Sequence, residues 1–217
     1  MSTTDSEFQK LLSSCTEISS LFPDGIVFIG GIAIYLHTIN QDEISAYAEF
    51  THDADFYISI ADMSDLRDIE EVTPNRRLNK HQIIKNKFEF DIYTERYSSL
   101  IVPYDHVKAY SEKYDTLNVS CLEHLLVLKL EALLDRINSS KGSKDVKDII
   151  RISQISAARQ KNLRSDLIEG YLSYKHLEIL KQIEKSPEFM SLAKGNAKLA
   201  KSLRTTFSKQ FEFATSK

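Results

Sequence analysis

Asp53 and Asp55 stand two residues apart in Thr51-His52-Asp53-Ala54-Asp55-Phe56-Tyr57-Ile58, and a lone Asp91 follows in Phe88-Glu89-Phe90-Asp91-Ile92-Tyr93. In a strand, residues two apart leave the same face. Two neighbouring carboxylates repel unless a cation sits between them, and hard divalent ions take oxygen ligands of this kind. Upstream, the apolar run Gly25-Ile26-Val27-Phe28-Ile29 meets the glycine pair Gly30-Gly31, after which the apolar positions take a helical spacing. Adjacent glycines let the backbone approach a ligand, and amide N–H groups at a helix start favour phosphate. A phosphate-friendly turn feeding a paired-carboxylate strand points to metal-dependent chemistry on a nucleoside triphosphate. In such chemistry two divalent ions about 4 Å apart clamp the triphosphate, activate the attacking hydroxyl and stabilise the leaving pyrophosphate. Asp53 and Asp55 are assigned to metal and nucleotide, and Asp91 to the ion that activates the acceptor. Gly30 and Gly31 are assigned to phosphate. The alternative is structural: Asp53 caps a turn, Asp91 pairs with a nearby lysine, and the glycines make a tight turn.

The elements that would position these groups follow from periodicity and punctuation. Residues 5 to 20 place Phe8, Leu11, Leu12, Cys15 and Ile18 on one side of a helix that ends at Phe22-Pro23-Asp24-Gly25. The helix after the glycines is expected to reach about His37, and residues 38 to 50 form a polar excursion, a surface loop or a short lid. An acidic helix is expected over 62 to 69 and a turn at Thr73-Pro74-Asn75. Residues 76 to 87 carry Arg76, Arg77, Lys80, His81, Lys85 and Lys87 just before the Asp91 strand. That ribbon suits triphosphate or an RNA backbone, or equally an edge protected by lysines. From Ser120 the character changes: Ser120-Cys121-Leu122-Glu123 has the form of a capping box opening a long helix to Arg136. Ser139 to Ser143 reads as a loop to a second helix, and further amphipathic helices are expected near 162 to 185, 187 to 193 and 196 to 213. Lys129 interrupts the leucine-rich face of the long helix, either snorkelling past a core or reaching a phosphate.

Bulk properties are those of an ordinary globular chain of 217 residues with 42% hydrophobic residues. The net charge of −3 conceals an asymmetry. Residues 1 to 118 carry 10 Lys and Arg against 20 Asp and Glu, a net of −10, and residues 119 to 217 carry 18 against 11, a net of +7. An acidic half suits divalent cations and a basic half suits phosphates, although solvated lysine-rich helices give the same count. Two distant cysteines, Cys15 and Cys121, make neither a disulfide framework nor a zinc site, which fits a cytoplasmic protein. The amino terminus is polar and acidic, unlike a secretory signal, and the run from Gly25 to Leu36 is too short to span a bilayer. No Walker-type Gly-Lys-Ser/Thr and no Gly-x-Ser-x-Gly occurs, which argues against P-loop and serine-hydrolase chemistry.

The order Gly30-Gly31, then Thr51-His52-Asp53-Ala54-Asp55, then Asp91 resembles the nucleotidyltransferase superfamily, and within it the AbiEii-type, toxin-like nucleotidyltransferases, over roughly residues 24 to 152. The resemblance implies an α+β fold, a nucleotidyltransferase-like mixed β-sheet flanked by helices (residues 1 to 118) followed by a C-terminal helical bundle (residues 119 to 217). It also implies Mg2+-dependent transfer of a nucleoside monophosphate from a nucleoside triphosphate to a tRNA 3′ end, another RNA or a protein, by a toxin restrained by an antitoxin. Such enzymes carry a lysine on the helix after the sheet and then a Lys-Asp-x-x-Asp-like segment. Lys129 and Lys144-Asp145-Val146-Lys147-Asp148 match these, which assigns Lys129 and Lys144 to nucleotide phosphates. Two departures stand out: Phe50 replaces the family's basic residue before the paired aspartates, and the gap from Gly31 to Asp53 is long. Three other readings share these features: an aminoglycoside-type enzyme acting on a small molecule, a nucleotide-binding module without turnover, and a protein whose acidic and basic halves serve self-association.

Overall fold

The computed structural model describes residues 3–98 and 100–212. The chain divides into two compact units, one of residues 1–36 and 49–121, the other of residues 37–48 and 122–217. The sequence reading places the boundary at 118/119. In the structure the late crossing falls at 121/122, and residues 37–48 also pass to the second unit.

The first unit opens with α1 (Thr3–Leu21), whose Phe8, Leu11, Cys15 and Ile18 are buried as the spacing predicts. Burial pushes the Cys15 thiol up to about 12, so it stays protonated and unreactive. Strand β1 (Ile26–Ile29) runs directly into α2 (Gly30–Ile39). Then come β2 (Asp53–Ile58) and α3 (Ile60–Ile69), the latter started by Ser59, whose hydroxyl accepts from the Asp62 amide at 3.0 Å. Thr73-Pro74-Asn75, expected as a turn, is the short edge strand β3 (Thr73–Asn75). An edge position tolerates a proline that lacks an N–H. β4 (Lys80–Lys85) and β5 (Phe88–Tyr93) form a hairpin through Asn86 and Lys87, both at positive φ, the geometry that tight two-residue hairpins favour. A short α4 (Tyr104–Ala109) and the hairpin β6 (Glu112–Tyr114) and β7 (Leu117–Val119) complete the unit.

Among the described residues the sheet has seven strands in the order β3-β4-β5-β2-β1-β7-β6. It is mixed: β2 lies parallel to β5 and β1 parallel to β7, while β1–β2, β3–β4, β4–β5 and β6–β7 are antiparallel. One face is apolar. Phe28, Phe56 and Phe90, from β1, β2 and β5, are fully buried with ring centroids 5.9 and 6.4 Å apart in sequence order. The alternate positions of β2, β5 and β4 hold the polar residues described below.

The second unit is helical: α5 (Leu122–Arg136), α6 (Ser140–Ala158), α7 (Tyr174–Ile183), α8 (Glu188–Leu192) and α9 (Ala197–Gln210). Three expectations shift here. Helix α6 begins inside the expected loop, because the Ser139 hydroxyl accepts from the Gly142 amide at 3.1 Å. Gly142 suits that start, since a Cβ there would lie 2.8 Å from the Ile137 carbonyl oxygen. The helix expected over 162 to 185 is only α7, beginning after a capping box of Ser173 and His176. Helix α8 starts after Pro187 and covers five residues. Residues 38 to 50, expected as a loop or lid, are partly docked: Thr38 and Ile44 are buried, and Arg151 Nε donates to the Tyr47 carbonyl at 2.8 Å. Among the described residues no helix is long and apolar enough to cross a membrane.

Candidate active site

Strand register decides which side chains meet. In the β2–β5 ladder Asp55 stands opposite Asp91 and Asp53 opposite Glu89, so four carboxylates share one face of two adjacent parallel strands. In the β4–β5 ladder Gln82 stands opposite Asp91, which adds Lys80 and Gln82 to that face. On the other side Ile29, the last residue of β1, pairs with Asp55, so the glycine turn begins beside the central carboxylate.

Gly30 takes φ +65°, a backbone region that favours glycine. A Cβ at Gly30 would sit 3.0 Å from the Asp55 Cγ and 3.2 Å from its Cβ. The turn and the carboxylate are therefore packed directly on one another, and Gly31 continues into α2. Hydroxyls orient the paired aspartates. Thr51 Oγ1 donates to Asp53 Oδ1 at 2.5 Å, and the Tyr93 hydroxyl lies 3.5 Å from Asp55 Oδ1. Asp53 is exposed and Asp55 half-buried.

Asp91 differs from both, being buried with 8% of its surface exposed. Lys80 Nζ donates to its Oδ2 in an ion pair, and Gln82 Nε2 donates to Oδ1 at 2.9 Å. The Gln82 amide also donates to Glu89 Oε1, and its own oxygen accepts from Asn75 Nδ2 at 3.1 Å. The three aspartates thus lie on one sheet face, and Asp91 is paired with a lysine, as the structural alternative in the sequence reading expects. Among the described residues no three His, Cys, Asp or Glu side chains are grouped as a metal site would group them. Asp53 and Asp55 nevertheless offer the oxygen donor set that Mg2+ takes.

Glu89 and Gln82 are the residues that sequence reasoning did not assign to the site, while Lys80 entered it only as one member of the basic ribbon. For Glu89 the signal was present, two positions before Asp91. Gln82, and the choice of Lys80 from among the basic residues of the ribbon, require the β4–β5 register, which no local pattern encodes. Phe50, where a basic residue is expected, stacks on Phe8 at 4.7 Å between centroids and lies 5.8 Å from Tyr35, so it packs α1 against α2. On the apolar face of β4, His81 Nε2 accepts from Arg67 at 2.9 Å, and burial together with that guanidinium pushes its pKa below the ordinary value.

Lys129 and Lys144 belong to the second unit. Lys129 Nζ is buried between Asp145 Oδ1 at 3.0 Å and Asp148 Oδ2 at 2.7 Å. Arg136 Nε meets Asp145 Oδ2 at 2.7 Å, and Arg151 Nη1 meets Asp148 Oδ1 at 2.8 Å. Burial alone would lower the Lys129 pKa, but Asp148 and Asp145 outweigh it and hold the ammonium well above its ordinary range. The Lys-Asp-x-x-Asp segment thus sits on α6 facing α5, with Lys144 itself half-exposed.

The sheet and its helices define a nucleotidyltransferase-like fold. The polyadenylate synthase of Megavirus superposes with a TM-score of 0.51 at 14% identity, over 82% of this chain and 37% of that one. JHP933 from Helicobacter pylori superposes with a TM-score of 0.54 at 13% identity, over 100% of this chain and 97% of that one. An antigenic nucleotidyltransferase-like protein from Paracoccidioides brasiliensis gives 0.51 at 13% identity, over 88% and 94%. This chain therefore spans little more than a third of the viral enzyme and nearly the whole of the other two. No protein-family model and no curated protein matches the sequence.

Proposed function

We propose that the chain is a Mg2+-dependent nucleotidyltransferase, moving a nucleoside monophosphate from a nucleoside triphosphate onto an acceptor hydroxyl. The observation that carries this reading is the pairing of Asp55 with Asp91 in register on adjacent strands, with Gly30 at positive φ packed against Asp55. In the reaction the acceptor oxygen bonds to the α-phosphorus, the bridging bond to the β-phosphate breaks, and its electron pair leaves with pyrophosphate, while the hydroxyl proton goes to solvent. Bound Mg2+ would neutralise phosphate charge. Asp53 and Asp55 would hold it, Gly30 and Gly31 would let the backbone meet the phosphates, and Asp91 would face the acceptor. Lys129, which the family resemblance assigns to phosphate, is committed to Asp145 and Asp148 and is left out of this reading, and Lys144 with it.

For the acceptor we infer an RNA, a tRNA 3′ end by the same resemblance, with a toxin role under antitoxin control. Between Glu188 and Glu212 the chain carries Lys194, Lys198, Lys201, Arg204 and Lys209 and no acidic residue. All four lysines are exposed, on α9 or just before it, which gives phosphates a surface a small-molecule acceptor would not need. The test is incubation with each labelled triphosphate and total RNA. Asp55→Ala should reduce label incorporation to background while the circular dichroism spectrum stays unchanged. Undiminished transfer refutes the assignment, and label on protein or on an aminoglycoside redirects the acceptor.

A binding module without turnover is the second reading, favoured by the engagement of both Asp91 oxygens. Calorimetric binding of triphosphate and Mg2+ with no pyrophosphate release would select it.

A further inference from the structure

The carboxylate nearest the acceptor side is the one that already has a cation. Asp91 and Lys80 are each 8% exposed, so their charges are largely shielded from water and each depends on the other. A metal ion on Asp91 Oδ2 would either share that oxygen with the Lys80 ammonium, setting two cations against each other in a buried place, or displace the lysine and strand it. Oδ1 is held separately. The Gln82 amide cannot turn over without losing Asn75, because its oxygen accepts from Asn75 while its nitrogen donates to both Asp91 and Glu89. Asp53 and Asp55 are more exposed than Asp91, and the hydroxyls of Thr51 and Tyr93 are among their partners.

We propose that Lys80 is a built-in cation of this site, occupying the acceptor-side position on Asp91, so that each bound triphosphate is accompanied by one divalent ion, on Asp53 and Asp55, and not by two. The inference rests on the nucleotidyl-transfer reading and narrows it. An ammonium has three N–H donors. With one donated to Asp91, the others are available to a phosphate oxygen or to the acceptor. Lys80 then supplies fixed positive charge with no ion to recruit, and Gln82 is the positioning residue that keeps Asp91 turned toward it.

The test counts ions on the full-length chain. Mn2+ is titrated by electron paramagnetic resonance in the presence of the α,β-methylene analogues of the four nucleoside triphosphates, and bound Mn2+ is expressed per bound nucleotide. The wild type and Asp91→Asn should each hold one, because Asp91 contributes no metal ligand. Lys80→Met should hold two, because Asp91 is then released beside Asp55, and Lys80→Arg should return to one. Two ions in the wild type with one lost in Asp91→Asn overturns the inference and leaves nucleotidyl transfer standing. One ion in Lys80→Met also overturns it, since Lys80 is then not what excludes the second. No analogue bound by the wild type removes the nucleotidyl-transfer reading and the inference with it. If Lys80→Met melts below the assay temperature, the wild type and Asp91→Asn decide the matter alone.

Discussion

His81 shows how a residue beside the site, on the opposite face of the same strand as Lys80 and Gln82, carries a pH dependence of its own. Its Nε2 accepts from Arg67 at 2.9 Å, its ring lies 4.3 Å from that of Tyr97, and Nδ1 is buried without a partner. A protonated ring would face a guanidinium and lose its acceptor, so the folded protein keeps His81 neutral below its ordinary 6.5. Its folded-state pKa is depressed, so the unfolded chain takes up this proton first. Stability therefore falls as pH drops from about 6.5 toward the folded value. Urea unfolding of the first unit between pH 7.5 and pH 5 should show a decline that His81→Gln removes in part. An identical pH profile in the variant would sink this assignment. Lys129 behaves in the opposite sense. Its raised pKa stabilises the folded state below the ordinary 10.5, and that contribution is lost only as pH climbs above it, so Lys129 itself adds no pH dependence across the neutral range.

At the scale of elements, α5 and α6 are joined by charge in place of apolar contact at one point. Lys129 from α5 sits between Asp145 and Asp148 of α6, which are 1% and 2% exposed. Lys129→Met would leave two buried carboxylates served only by Arg136 and Arg151. Removing one partner of such a buried network costs about 3–5 kcal/mol. The urea midpoint of the helical unit should fall accordingly, and a loss under about 1 kcal/mol would mean the network is solvated. The sequence made the participants visible, since Lys129 breaks a leucine face and Asp145 and Asp148 share a helix face, but not that they hold one another. The first unit divides in the same way. Strand, glycine turn and the Asp53/Asp55 strand were legible because each is a local pattern. The fold class followed from the family resemblance that their order carries. Strand β3, the hairpin of β6 and β7, the role of Gln82 and which lysine meets Asp91 were not legible, because short strands carry little periodicity and cross-strand partners are fixed by register, a long-range property. The helix expected over 162 to 185 was misjudged because Asn162, Gly170 and the Ser173 cap outweigh the apolar spacing before Tyr174.

The chain as a whole crosses between its two units more than once, since residues 37–48 belong with residues 122–217. That segment is an integral part of the helical unit. His37 and Thr38 are fully buried, and Ile44 is nearly so. Arg159 Nη2 donates to His37 Nδ1 at 2.7 Å, and Arg151, itself 4% exposed, donates to the Tyr47 carbonyl at 2.8 Å. Without residues 37–48, Arg151 and Arg159 would be left short of acceptors they use in the folded state. A fragment of residues 122–217 should therefore melt at least about 10 °C below the helical unit of the intact chain, or without a cooperative transition, since for a domain of this size each kcal/mol moves the midpoint by roughly 4–8 °C. Adding a peptide of residues 37–48 should raise the midpoint in proportion to its occupancy. A fragment that unfolds cooperatively at the intact unit's temperature, indifferent to the peptide, would show that the segment merely rests on the helices.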